Sequence, residues 1–116
     1  MKINVKEEIG KRCIIREDGQ KIYNKIHNEL KVQRIVVLNF EGVKQFASPF
    51  FNFAVGQLLK DVEEKDVRTY LHIEKLNETG RRVFDRVIEN AARYHKDVNY
   101  QKLIHDVICK EVEEPK

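Results

Sequence analysis

Residues 34–59, RIVVLNFEGVKQFASPFFNFAVGQLL, contain the strongest fold signals of the chain. Its apolar, β-branched start, IVVL, is typical of a buried strand. A short polar turn follows, and then Ser48 and Pro49 introduce a second apolar run that is typical of a helix. Serine is a common helix cap, and proline fits the first helical turn, where no backbone N–H is needed. The sequence therefore predicts that Ser48 caps a helix at a strand-to-helix junction, a place that suits a hydrogen-bond switch or a phosphate.

On both sides of this stretch, strands and helices are predicted to alternate along the chain. The predicted elements are a short edge strand over 2–5, a helix over 20–31, strand 34–40, helix 49–62, strand 67–73, a helix from 78 to about 95 capped by Asn77, and a last helix capped by Asn99. Residues 63–66 are expected to form a solvated turn, and 111–116 a polar tail. Strands separated by helices imply right-handed crossovers. We therefore expect one α/β domain over residues 1–116, with a small, mostly parallel or mixed sheet and helices packed on it.

Composition and charge argue against two classes of protein, those that bind nucleic acid and those that span a membrane. The chain has 116 residues and a formal net charge of only +3, which is low for a domain that binds nucleic acid. No apolar run approaches the ~20 residues of a membrane span, and the N-terminus has no apolar core of signal-peptide length. These features predict a cytoplasmic protein with no membrane partner.

The residue types that usually form catalytic or metal sites are scattered along the chain. Cys13 and Cys109 lie far apart, and histidines 27, 72, 95 and 105 show no spacing to carboxylates or thiols that is typical of a metal site. There is no nucleophile elbow, phosphate-binding glycine loop or paired-carboxylate motif. The expectation is a protein with no catalytic residues, no metal and no cofactor, in which Cys13 packs as a small apolar residue.

Two short patterns, NFEGV at 39–43 and ASPFF at 47–51, resemble those of the STAS domain of anti-sigma-factor antagonists. They are closer still to those of the uncharacterised bacterial STAS-like proteins related to these antagonists. In that superfamily a strand ends in Asp-apolar-Ser-Gly-apolar, and a helix begins at Asp-Ser-Ser-Gly-apolar. The resemblance implies a protein-binding regulatory module whose phosphorylated serine falls on Ser48. It also implies a partner with a histidine-kinase-like ATP-binding fold, acting as the kinase, and a phosphatase that resets the switch.

The chain departs from the family pattern at several positions. Asn39 and Ala47 stand where the family has aspartates, and Pro49 and Phe50 replace its second serine and the following glycine. Gly42 and Ser48 keep the family's residue type, in the turn and at the helix start respectively. A kinase of the known system is therefore not guaranteed to recognise the site, and a serine in this position is more often only a helix cap.

Phenylalanines cluster on both sides of Ser48. Consecutive helical residues point about 100° apart, so the phenylalanines of residues 50–53 cannot all lie on one narrow face. Most are expected in the core, and at least one is expected to reach the surface as an anchor for a partner protein. The partner-binding residues predicted from the two patterns and this cluster are Asn39, Glu41, Gly42, Phe46, Phe50 and Phe51.

A second hypothesis rests on the helix that follows Asn77. It carries Arg81, Arg82, Arg86, Arg93 and Lys96, interspersed with Asp85 and Glu89. A salt-bridged, solvated face is the simplest interpretation, and docking to an acidic protein is the next. The alternative function is a small nucleic-acid-associated or antitoxin-like regulator that uses these arginines. An exposed edge of so small a sheet could also pair two copies of the chain into a homo-oligomer.

Overall fold

The structure is a computed structural model that describes residues 1–94. The strands are β1 (Lys2–Asn4), β2 (Arg12–Cys13), β3 (Val36–Asn39), β4 (Gln45–Phe46) and β5 (Leu71–Glu74). The helices are α1 (Val5–Ile9), α2 (Arg16–Lys31), α3 (Ser48–Ala54), α4 (Glu64–Tyr70) and α5 (78–94), with a 3₁₀ helix at Gly56–Lys60 between α3 and α4. The predicted last helix, the polar tail, Lys96, Cys109, and histidines 95 and 105 lie outside the described residues.

Two parallel sheets form the centre of the molecule. The first has the order β1-β3-β5, with Ile3, Leu38 and Ile73 aligned across it. The second pairs β2 with β4. In the first sheet, one face carries the buried side chains and the other carries exposed polar ones such as His72 and Glu74. The structure confirms the prediction of an α/β fold with a parallel sheet and helices packed on it.

Helices α2 and α3 pack closely against each other. The apolar stripe of α2, Ile22, Ile26 and Leu30, recurs every fourth residue and is fully or almost fully buried, because this spacing keeps one helix face towards the core. Gly19 allows α2 to approach α3 closely: a Cβ on Gly19 would lie only 2.3 Å from the carbonyl oxygen of Phe50. Helix α3, which begins at Ser48, is therefore held against α2 at Phe50, Phe53 and Ala54.

The prediction for residues 67–73 was right only in its second half. Residues up to Tyr70 belong to α4, and the strand begins at Leu71. The alternating pattern misled because Val67 and Leu71, four residues apart, also suit one helix face. Glu64 and Asp66 lie in the first turn of α4, where acidic side chains are favourable. The predicted solvated turn at 63–66 is therefore largely the start of a helix.

Other boundaries also differ. Helix α2 begins at Arg16 rather than near 20. Helix α3 ends at Ala54 because Val55, with φ −127°, leaves helical geometry before the 3₁₀ helix, whereas one helix was predicted over 49–62. Helix α1 and strands β2 and β4 were not predicted, because two to five residues are too few for a periodic pattern. The Asn77 cap is confirmed: its Oδ1 accepts the backbone N–H of Gly80 at 2.8 Å.

Candidate functional site

Ser48 is the first residue of α3 and is exposed. The chain stays extended through Ala47, whose backbone N–H donates to the carbonyl oxygen of Cys13 at 2.9 Å, and turns helical at Ser48. The N-cap residue is therefore Ala47, and no side chain caps the helix. The prediction that Ser48 caps α3 is wrong, because the helix begins one residue earlier than the sequence suggested. The hydroxyl of Ser48 is thus not committed to holding the helix end.

Asn39, Glu41 and Gly42 are brought together at the carboxyl end of β3. The side-chain oxygen of Asn39 accepts the backbone N–H of Glu41 at 3.0 Å, and its amide donates to Asn4 Oδ1 at 3.2 Å. Gly42 has φ +83°, a conformation that glycine adopts readily. These residues line a pocket of about 550 Å³ together with Asn4, Lys6 and Glu7. Asn39 therefore shapes the turn after β3, and Glu41 and Gly42 are the exposed members of the predicted contact set.

The phenylalanines near Ser48 divide between core and surface. Phe50 and Phe51 are 0% exposed, so we assign them to the core and correct the prediction that they contact a partner. Phe46 is half-buried against the start of α5, where a Cβ on Gly80 would lie 3.0 Å from its ring. Phe53, in contrast, is 37% exposed. It is the aromatic side chain of this cluster that reaches solvent most fully.

Ile15 was missed as a surface residue. It is 51% exposed and stays extended just before α2, while Gly19, one turn later, donates its N–H to the Ile15 carbonyl. A Cβ on Gly19 would lie 2.9 Å from Phe53 Cβ, so Phe53 packs against the first turn of α2, the helix that begins directly after Ile15. We call Ser48, Pro49, Ile15 and Phe53 the Ser48 surface. The signal was two consecutive isoleucines in an extended segment, since neighbouring side chains there point in opposite directions.

The two histidines among the described residues, His27 and His72, both contact other groups of the fold. The Nε2 atom of His27 lies 3.0 and 2.9 Å from the two carboxylate oxygens of Asp61, and its ring stacks on Tyr23 at 4.8 Å. Burial, and then the charge of Asp61, raise the pKa of Tyr23. His72 is exposed and lies 3.1 Å from the carbonyl oxygen of Thr69. Across residues 1–94, no three His, Cys, Asp or Glu side chains are grouped so as to hold a metal ion.

The arginines at the start of α5 are partly engaged within the fold. Arg82 pairs with Glu78, and the guanidinium of Arg81 lies 5.7 Å from the centre of the Phe84 ring. These contacts fit the salt-bridged, solvated face better than a surface kept free for phosphates. In the same described part of the chain, no helix has the length and apolarity needed to cross a membrane.

Cys13 is fully buried, and burial, with a smaller effect of the charge of Asp18, raises the pKa of its thiol from 9.0 to about 12. The prediction that it packs as a small apolar residue is confirmed.

We expect Cys13 in a Cys109→Ser variant to resist Ellman's reagent at pH 8 and to react once urea unfolds the protein. Stability should also fall as the pH rises from about 9 towards 12, because the unfolded thiol ionises first. Rapid labelling of the native variant would contradict this assignment.

Comparison of the chain with curated proteins and with solved structures gave no match. A family model described as a STAS-like domain of unknown function (DUF4325) matches residues 18–81, from the first turn of α2 to the start of α5. The matched range is more than half of the 116 residues, and it includes the turn after β3, Ser48 and all of α3. On this match the chain belongs to that family of STAS-like domains.

Proposed function

We propose that this chain is a non-catalytic regulatory module that binds another protein through the Ser48 surface and is switched by phosphorylation of Ser48. The proposed partner is a cytoplasmic protein with a histidine-kinase-like ATP-binding fold, as in the anti-sigma-factor antagonists that the two sequence patterns resemble. The observation that carries the proposal is the exposure of Ser48 at the junction of β4 and α3, in a chain of the STAS-like family.

The surroundings of Ser48 support a switch. Ile15, immediately before α2, and Phe53, on the same helix as Ser48, expose apolar surface, and such surface stabilises a complex when a partner covers it. A phosphate on Ser48 would add about two negative charges that the partner would have to desolvate. The first turn of α3 contains no acidic side chain, so nothing there opposes the added charge. Phosphorylation can therefore act on binding without unfolding the helix.

The environment of the reactive side chains supports a non-catalytic role. The thiol of Cys13 is buried and its raised pKa keeps it protonated near neutral pH, so it is a poor nucleophile. His27 is held by Asp61 and stacked on Tyr23. The alternative of a nucleic-acid-associated or antitoxin-like regulator is less well supported, because Arg81 and Arg82 have partners within α5.

Substitutions at Ser48 should separate folding from binding. Ser48→Ala should change the free energy of unfolding by no more than about 0.5 kcal/mol, because the residue is exposed and does not cap the helix. Ser48→Asp should be the more stable variant, by about 0.3–1 kcal/mol, because it places a negative charge in the first helical turn. Ser48→Asp should weaken partner binding at least tenfold, and Ser48→Ala much less.

The test begins with a pull-down of the chain from its native host, followed by mass spectrometry of Ser48 and of the captured proteins. Isothermal titration of the captured partner with wild type, Ser48→Ala and Ser48→Asp then measures the effect of charge. Thr79→Asp, at an exposed position in the first turn of α5, makes the same change in net charge outside the predicted contact set and is the matched control. If wild type and both Ser48 variants bind equally well, Ser48 is not a switch.

A further inference from the structure

A groove beside the Ser48 surface combines apolar and cationic groups. It has a volume of about 500 Å³ and is lined by Ile9, Lys11, Arg12, Ile14, Ile15 and Asp18; we call it the isoleucine groove. Ile9 and Ile14 are half-buried and Ile15 is largely exposed, so apolar surface remains accessible along its length. Ile15 belongs to both surfaces.

The cations of the groove are unpaired within the part of the chain that the structure describes. Lys11 and Arg12 are exposed, and neither side chain makes an ion pair or hydrogen bond within residues 1–94. Lys44 brings a third cation close, because its backbone N–H donates to the carbonyl oxygen of Lys11 at 3.0 Å. The segments 10–16 and 43–53 contain no aspartate or glutamate. Asp18, the one carboxylate in the lining, has its own cation, since Lys21 Nζ lies 3.9 Å from its Oδ1.

We infer that the isoleucine groove binds a segment of a partner protein in which carboxylates alternate with aliphatic side chains. The isoleucines would receive the aliphatic groups, and Lys11 and Arg12 would face the carboxylates, so that charges are complementary across the contact. This inference rests on one part of the proposed function, namely that the chain acts by binding a protein. It adds the chemistry of the bound segment, which the family pattern does not specify.

A protein segment fits this groove better than a nucleic acid. Single-stranded nucleic acids bind through stacking on aromatic rings, and the groove is lined by isoleucines instead. Duplexes are held by many phosphate contacts, which three neighbouring cations cannot supply. An acidic segment in the groove also explains how Ser48 acts on it. The bond from the Ala47 N–H to the carbonyl oxygen of Cys13 brings the chain at Ser48 to the end of β2 that leads to Ile15, so a phosphate on Ser48 would repel the carboxylates that Lys11 and Arg12 attract.

Selection from a library of random 12-residue peptides displayed on phage tests the inference, with the purified full chain as the target. Enriched peptides should be rich in Asp and Glu next to Leu, Ile or Val. The double variant Lys11→Glu with Arg12→Glu should bind the leading peptide at least tenfold more weakly by fluorescence anisotropy. The matched control, Lys60→Glu with Arg86→Glu, makes the same change in net charge at exposed positions outside the groove and should stay within threefold of wild type.

Three results would overturn the inference. They are enriched peptides without an acidic bias, equal losses in the groove variant and the control variant, and tighter binding of a 20-nucleotide DNA that the groove variant abolishes. Thermal melting of both variants checks that each is folded. The selection uses unphosphorylated protein, so its outcome does not depend on whether Ser48 is a switch. Repeating the anisotropy titration with Ser48→Asp tests the switch separately, and should show weaker binding of the same peptide.

Discussion

Replacing Phe51 with alanine is expected to lower the free energy of unfolding by about 3–5 kcal/mol, which is the usual cost of removing a fully buried phenylalanine. Phe51 is 0% exposed, and its ring lies at the centre of an aromatic cluster. The neighbouring ring centroids, all 5.2 to 6.0 Å away, belong to Phe40, Phe46, Phe50 and Phe84. The cavity would be lined by β4, α3, α5 and the residue that follows β3, so no single element could move to fill it. Urea unfolding followed by circular dichroism measures the change.

Phe53→Ala is the matched control for this prediction. It removes the same side chain from the same helix, but at a position that is 37% exposed. Phe53→Ala should lower the free energy of unfolding by clearly less, about 1 kcal/mol. The partly exposed side chain buries less apolar surface on folding, and its removal leaves little cavity. Equal losses in the two variants would show that the aromatic cluster is not centred on Phe51.

Gly19→Ala should destabilise the protein by about 1–3 kcal/mol, the typical cost of forcing an extra methyl group into a packed interface. In an exposed helix the same change normally stabilises by about 0.5–1 kcal/mol, because alanine is the better helix former. The sign reverses here because the new Cβ would lie 2.3 Å from the carbonyl oxygen of Phe50 and 3.0 Å from the backbone nitrogen of Ala54. Backbone atoms cannot rotate away, so α2 and α3 must separate.

Lys21→Ala provides the comparison for Gly19→Ala. Lys21 lies two residues further along α2 with an exposed side chain, so alanine there should change stability by no more than about 0.5 kcal/mol. Gly19 lies against Phe53 and donates its N–H to the carbonyl oxygen of Ile15. A shift of α2 away from α3 would therefore also disturb the Ser48 surface. We expect Gly19→Ala to weaken partner binding under conditions in which the variant is still folded. A Gly19→Ala protein that is as stable as wild type would contradict the close approach of α2 to α3.

The sequence predicted the parts of the fold that have strong periodicity. The stripe Ile22, Ile26 and Leu30 identified α2, and the β-branched run before Asn39 identified β3. Strands β2 and β4 have two residues each, and their pairing depends on contacts between segments more than 30 residues apart. Such pairing leaves no local pattern. The start of α4 was missed because a spacing of four residues, as between Val67 and Leu71, fits a strand face and a helix face equally well.

The candidate site was predicted in outline and corrected in detail. The junction at Ser48 was located by Pro49 and the flanking apolar runs, which are local signals. Whether Phe50 and Phe51 face the core depends on how α3 rotates against α2 and the sheet, and that orientation is set by tertiary packing. Ile15 joined the surface only because β2 and β4 bring residues 13 and 47 together. Neither outcome can be derived from one segment alone.

We propose that the phosphorylation state of Ser48 controls the binding of a protein partner. The most direct test is isothermal titration of the partner captured from the native host with two forms of the full chain, one unmodified and one carrying phosphoserine at position 48. We expect the phosphorylated form to bind at least tenfold more weakly, since the partner would have to desolvate the charge of the phosphate. Equal affinity of the two forms would contradict the claim.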